Sequence, residues 1–282
     1  MNNKLNIFVI LVFLAFGFGS FSYAQPSRSL WSLKSSFLYL NMKMNDYNNF
    51  AKHYNSMVGK EAMKPLNNGF GGIIELRRPL FRKFYAGIET GIITGGVESR
   101  GVVFSAASNT NTTYYHKLSL TSVPINVNFY YSFIRNERLN IYSGFSPGLW
   151  LNRIVFLDTY DYQDREGEGF IYGKPILSSQ NLSYCLQLGS EYHIFGRIGI
   201  DIKLSYRSAN FKGFSGEEHS RFIYVNKVRN TSRFDKNRGK VILTYDPGSN
   251  RLSTPQENSD RINEAHINMG NWGGELGLVW FF

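Results

Sequence analysis

Between Ile198 and Arg207 the chain alternates without a break, with Ile198, Ile200, Ile202, Leu204 and Tyr206 on one parity and Gly199, Asp201, Lys203, Ser205 and Arg207 on the other. Successive side chains of an extended strand point to opposite faces, so this segment sets a greasy face against an ionic one. Seven further segments keep the same period: approximately Trp31 to Met42, Phe70 to Arg78, Phe84 to Thr94, Leu118 to Phe133, Leu139 to Leu151, Leu182 to Ile194 and Asn271 to Phe282. The pattern predicts eight strands. Their connections alternate in length, short at Pro79 to Lys83, Ile134 to Arg138 and Phe195 to Arg197, and long near 45–68, 96–116, 158–178 and 212–264. Short turns at one end and long loops at the other are expected of an all-β, antiparallel, up-and-down transmembrane β-barrel of eight strands with long extracellular loops.

Sorting the strand residues by parity sharpens this, because lipid penalises charge on only one face. One set holds Trp31, Leu33, Phe37, Ile74, Leu76, Ile88, Ile92, Ile125, Val127, Phe129, Ile141, Phe145, Leu149, Leu186, Leu188, Leu276, Leu278 and Trp280, with no charged member. The other holds Lys34, Glu75, Arg77, Glu89, Glu191, Asp201, Lys203, Arg207 and Glu275. Gly87, Gly91, Gly144, Gly148, Gly189, Gly199, Gly273 and Gly277 fall in the charged set, which therefore belongs on the crowded inside of a narrow barrel. Eight strands leave an interior just wide enough for side chains to fill, so the expectation is a plug and not a pore.

Residues 1–24 read as a cleaved export signal, with Lys4 as basic flank, Leu5 to Gly19 as apolar stretch and Ser22-Tyr23-Ala24 as cleavage site, leaving 25–282 as the barrel domain. The apolar stretch is shorter than a spanning helix needs. Without Lys4, 30 Lys+Arg face 21 Asp+Glu, a net charge of about +9 that favours anionic surfaces; export makes outer-membrane lipid the expected one and nucleic acid an unexpected one. The single cysteine, Cys185, allows no intrachain disulfide, so strand pairing and burial must supply the stability.

The stretch HKLSLTSVPINVNFYYSF followed by RLNIYSGFSPGLWL resembles the outer-membrane β-barrel domain family of OmpA/OmpX-like eight-stranded proteins, in which a strand carrying a Pro-Ile or Pro-Leu pair enters a short turn and a glycine-rich strand leaves it. The family includes PorT-type barrels tied to protein secretion. The terminal GELGLVWFF is similar to the C-terminal recognition signal of such barrels. The resemblance implies that Leu278, Trp280 and Phe282 recruit the barrel-assembly machinery during insertion.

Five acids and four bases in the inward set nearly balance, as expected where buried charges must pair to stay ionised, so a structural salt-bridge network is preferred over acid/base chemistry. His53, His116, His193, His219 and His266 lack zinc-site spacing, and no cofactor is expected. Adjacent His219 and Ser220 point to opposite faces of a strand and cannot form a nucleophile–base contact. The longest loop carries Arg221, Lys227, Arg229, Arg233, Lys236, Arg238 and Lys240 against Asp235 alone, a candidate clamp for lipopolysaccharide phosphate or an acidic envelope protein, with a merely solvated loop as the equal alternative. In the same loop, Phe222 to Val228 and Val241 to Tyr245 suggest an external hairpin; at seven and five residues they are too short to add two spanning strands. Phe50, Tyr54, Met57 and Val58 sit at helical spacing within Asp46 to Met63, which suggests a short helix over the barrel mouth. The functional expectation is a non-enzymatic envelope structural or surface-interaction protein of the cell outer membrane, the alternatives being an accessory subunit of a secretion or transport assembly and a lipid-modifying enzyme.

Overall fold

The computed structural model describes residues 31–42, 44–58, 62–81, 83–105, 110–163, 167–226, 232–242, 244–246, 251–253, 267–268 and 271–282; the export signal expected at 1–24 lies outside the described residues. In chain order the elements are β1 (Ser32–Asn41), α1 (Asn45–Val58), β2 (Asn68–Phe81), β3 (Phe84–Ser105), β4 (Thr110–Arg135), β5 (Leu139–Gln163), β6 (Gly167–Phe195), β7 (Ile198–Ser208), β8 (Asn210–Phe211), β9 (Ser215–Asn226), β10 (Ser232–Ile242), β11 (Thr244–Asp246), β12 (Arg251–Ser253), β13 (Ile267–Asn268) and β14 (Trp272–Phe281). All strand pairings are antiparallel, and β1 to β7 followed by β14 form a ring of eight hydrogen-bonded strands in which β6 pairs with β7, β7 with β14, and β14 with β1.

The short connections are built from the expected turn chemistry. Gly196, with φ at 54°, occupies the first central position of the two-residue β6–β7 turn, where a left-handed backbone suits the strand twist. At the β4–β5 turn the Asn136 side-chain oxygen accepts hydrogen bonds from the backbone N–H groups of Arg138 (3.0 Å) and Leu139 (2.7 Å), an Asx turn.

Of two long connections expected as loops, 96–116 and 158–178, the described residues 96–105, 110–116, 158–163 and 167–178 are instead strand. β3 to β6 run 22, 26, 25 and 29 residues, two to three times the roughly 9–11 needed to cross a bilayer. Their upper halves have no uniformly greasy face, which hid them from the parity test, yet Thr112-Thr113-Tyr114-Tyr115 is β-branched and aromatic and pairs on both sides. Above the ring β6 changes partner: Tyr184–Phe195 pairs with β7, whereas Gly167–Ser178 pairs with β9. The hairpin expected in the longest loop is formed by β9 and β10, shifted from the two apolar runs that suggested it, and it extends the projecting sheet without entering the ring.

Outward from the ring, Phe37, Ile74, Ile92, Leu186, Leu188, Ile202, Leu204, Leu276, Leu278 and Trp280 are exposed, as are Tyr39, Tyr131, Tyr184, Tyr192, Tyr206 and Trp272 near the strand ends. Val127, of the same parity, is covered, packing with Ala86 against Leu80 and Phe129, and Leu149 is buried too. A ring that exposes this much aliphatic surface while burying lysines inverts the usual partition of a water-soluble domain.

The interior has two storeys. The lower one is ionic. The upper is an apolar core of Leu38, Leu40, Ile73, Ile93, Leu118, Leu120, Trp150, Ile154 and Leu177, capped by Met42, Met44, Tyr47 and Ala51 from above and by Phe211 and Phe214 from the side. This apolar storey corrects the expectation of a charged and glycine-rich lining throughout: these residues share the parity of the ionic set but sit where the interior is packed with apolar side chains and covered by α1. The lower storey matches small residues to large ones, since a Cβ at Gly144 or Gly189 would collide with the Tyr130 or Tyr142 ring respectively.

Candidate functional site

All nine inward charged residues are buried and joined in one continuous set of ion pairs. Lys34, Glu75, Glu89, Asp201 and Lys203 are each 0% exposed, and Arg77, Glu191, Arg207 and Glu275 no more than 5%. Glu275 on β14 is the upper hub, receiving Lys203 at 2.9 Å, Arg207 at 3.1 Å and Lys34 at 3.3 Å. Arg77 on β2 is the lower hub, reaching Glu75 at 2.9 Å, Glu191 at 3.2 Å and Asp201 at 3.4 Å. Lys34 links the two by pairing with Asp201 as well as Glu275, and Lys203 brings in Glu89 at 3.1 Å.

Strand register explains why these particular residues meet. Lys34 stands opposite Glu75, and Glu275 opposite Lys203, favourable cross-strand pairs on the inner face. Glu75 also stands directly opposite Glu89, a like-charge pair. Two asparagines that charge counting passes over relieve it: Asn128 donates to Glu75 at 2.6 Å and to Glu89 at 3.3 Å, and Asn126 donates to Glu89 at 2.7 Å. Tyr130 donates a further hydrogen bond to Glu75 (2.7 Å), and Tyr142 one to Asp201 (2.6 Å), while the Arg77 guanidinium lies 4.7 Å and 5.2 Å from those two ring centroids. Carboxylates so engaged are acceptors of fixed bonds, an arrangement that holds strands in register and leaves little freedom for proton relay.

The upper storey is fastened by α1, and sequence spacing named only part of the fastening. Phe50 and Tyr54 pack against the core, but the buried anchors are Tyr47 and Ala51; the side chains of Met57 and Val58 lie outside the described residues. Asn55 accepts from the Ala62 and Met63 N–H groups (2.8 and 2.7 Å) and Asn48 accepts from Leu66 (2.9 Å), stitching the helix to the segment that returns to β2. Above them Tyr54, Tyr114 and Tyr160 surround His116 with centroids 5.1–5.5 Å away, and His116 Nδ1 lies 2.7 Å from Asp158 Oδ1. Burial pushes the Tyr47 hydroxyl well above its ordinary value near 10, the Asp158 carboxylate adding to the rise; Tyr160 is raised by the same two causes in the same order. These residues lay in stretches read as loop, where nothing in the sequence pairs positions 42 residues apart.

At the short-turn end the interior opens into a cavity of about 400 Å³ beneath the Arg77 hub. Of the basic segment, Arg221 is exposed on β9; Lys227 and Arg229 lie outside the described residues; Arg233, Lys236, Arg238 and Lys240 take register positions on β10, the last two opposite Glu218 and Glu217 of β9. The five described bases thus lie along two paired strands, and three of them stand opposite acids in register, Arg221 opposite Asp235 being the third. Leu278, Trp280 and Phe282 all point outward and are about half exposed or more, 61%, 51% and 49%. Among the described residues no group of three or more His, Cys, Asp and Glu is placed to hold a metal ion.

No family model matches the chain, and no curated protein matches it. Among solved structures it is similar to a major outer membrane protein from Thermus thermophilus (13% identity, 89% of this chain and 99% of that one, TM-score 0.35) and to the outer membrane protein OprG from Pseudomonas aeruginosa (9%, 90% and 97%, TM-score 0.35). It is also similar to the outer membrane protease OmpT from Escherichia coli (10% identity, 94% and 100% coverage, TM-score 0.31). At these TM-scores the likenesses carry no argument about activity or ligand, which must come from the geometry of the chain itself.

Proposed function

We propose that the ring is a closed outer-membrane β-barrel, OmpA/OmpX-like in strand number, that conducts nothing and catalyses nothing but holds an extended sheet at the cell surface as a platform for interaction. One observation carries this reading: the same eight strands present exposed aliphatic side chains outward and an ion-paired storey inward, topped by an apolar one. Hydrocarbon is the solvent that rewards such an outer face, and a barrel is the strand arrangement that leaves no unpaired edge within it. Among the described residues the interior is filled by ion pairs below and by Trp150, Phe211 and Phe214 above, which supports a plug.

Two measurements test this. The mature chain should fractionate with outer membranes and migrate faster on electrophoresis unheated than boiled, and it should give no conductance steps in planar bilayers. Recovery in aqueous extract would refute the membrane assignment, and discrete conductance would refute the plug.

The platform also favours a second reading, an accessory role in a secretion or transport assembly of PorT type. The sheet of β3 to β6, β9 and β10 rises well beyond bilayer height, a wide surface for another envelope protein. Co-purification that is lost on deleting 215–242 supports it; retention of every partner after that deletion counts against it.

A further inference from the structure

The cavity at the short-turn end takes no part in the plug or the platform. Its volume, about 400 Å³, falls within the roughly 300–1,000 Å³ of small-molecule sites. Its walls are aromatic, from Trp31, Tyr85 and Phe281, with His193 stacked on Phe281 at 4.1 Å. The rim carries exposed Arg135 and Arg197, the former over the Tyr85 ring at 5.2 Å, and the acid Glu137. The floor is the Arg77–Glu191 pair, with Tyr130 and Tyr142 beside it.

Charge fixes how such a space is filled. Arg77 is already engaged by Glu75, Glu191 and Asp201, so the floor offers an acid and a spent guanidinium, which disfavours a second carboxylate there. The two rim arginines present forked donors to an anion, and the aromatic walls suit a flat apolar body below them. We propose that this cavity binds a carboxylate carried on an aromatic body, ring inward and carboxylate between Arg135 and Arg197. The same chemistry is offered by a small free aryl acid and by a peptide ending in phenylalanine. The inference does not depend on the membrane reading, since it concerns only the interior of the ring.

The test uses the mature chain in detergent micelles, with 3-phenylpropionate, its amide and the tripeptide Gly-Gly-Phe as probes in calorimetric titration. The acid should bind saturably and the amide at least tenfold more weakly. Arg135→Gln with Arg197→Gln should weaken the acid at least tenfold while leaving the heat-dependent gel shift intact. Ser32→Trp, which fills the cavity from a position outside the ion-pair network, should remove binding altogether. Tighter binding of the tripeptide than of the free acid assigns the site to a peptide terminus, and the reverse order assigns it to a small molecule. The proposal is overturned if neither carboxylate binds saturably, if acid and amide bind alike, or if the double arginine variant and S32W both bind as the parent does.

Discussion

Two glutamates of the ionic storey, both buried and both bonded to Lys203, should respond very unequally to loss of charge. Glu275→Gln removes the only carboxylate paired with Arg207 among the described residues, whereas Lys203 retains Glu89 and Lys34 retains Asp201. At 3.1 Å and an effective dielectric of 20, the lost attraction to Arg207 is roughly 5 kcal/mol before desolvation. The measured cost of stranding a buried charge is about 3–5 kcal/mol, and E275Q should fall there. Glu89→Gln leaves Lys203 on Glu275 at 2.9 Å, keeps an acceptor for Asn126, and removes the like charge opposite Glu75, so its cost should stay below about 1 kcal/mol. Combining E275Q with Arg207→Met should recover much of the loss, because an apolar replacement leaves no orphaned cation. Urea unfolding in micelles, followed by tryptophan fluorescence and by the gel shift, reads all three. An E89Q loss as large as that of E275Q, or strictly additive losses in the double variant, would refute the pairing drawn from the geometry.

Other perturbations probe the remaining storeys. Trp150→Ala opens the apolar storey against Phe211 (ring centroids 5.4 Å apart) and should cost about 3–5 kcal/mol, seen as a lower urea midpoint with the gel shift retained. Ile202→Lys places a cation on the most exposed face of β7 and should reduce membrane insertion, at about 2–4 kcal/mol if the position lies near mid-bilayer, whereas the same change at Asn210, above the ring, should not. The raised hydroxyls of Tyr47 and Tyr160 make helix docking pH-dependent: with the folded values above the unfolded one near 10, their contribution is whole below pH 10 and is lost as pH rises beyond it. Protease cleavage within 45–67 should therefore accelerate above pH 10 in the parent and less steeply in Tyr47→Phe.

The parts legible in the sequence were those where lipid imposes a rule. Ile198–Arg207 and Trp272–Phe281 could be oriented residue by residue because a slip by one position would point Lys203 or Glu275 at hydrocarbon. Above the bilayer that penalty vanishes, and the pairings of Thr112–Lys117 on β4 with β3 and β5 rest on cross-strand contacts that no single segment encodes. The same limit hid the apolar storey: Leu38 and Leu40 follow Lys34 on one parity, and their apolar surroundings include α1, which docks from another part of the chain. Asn126 and Asn128 escaped because they carry no charge, although they are what allows Glu75 and Glu89 to face each other.

The central claim is that alternate residues of β7 meet lipid and an interior filled by side chains. It is tested most directly by spin-labelling single cysteines from 200 to 206 in a Cys185→Ser background, reconstituted in bilayers, and measuring collision with oxygen and with a water-soluble nickel chelate. Positions 200, 202, 204 and 206 should be accessible to oxygen alone, and 201, 203 and 205 to neither reagent. Nickel access at 202 and 204 would contradict the membrane-facing surface, and nickel access at 201 and 203 would contradict the filled interior.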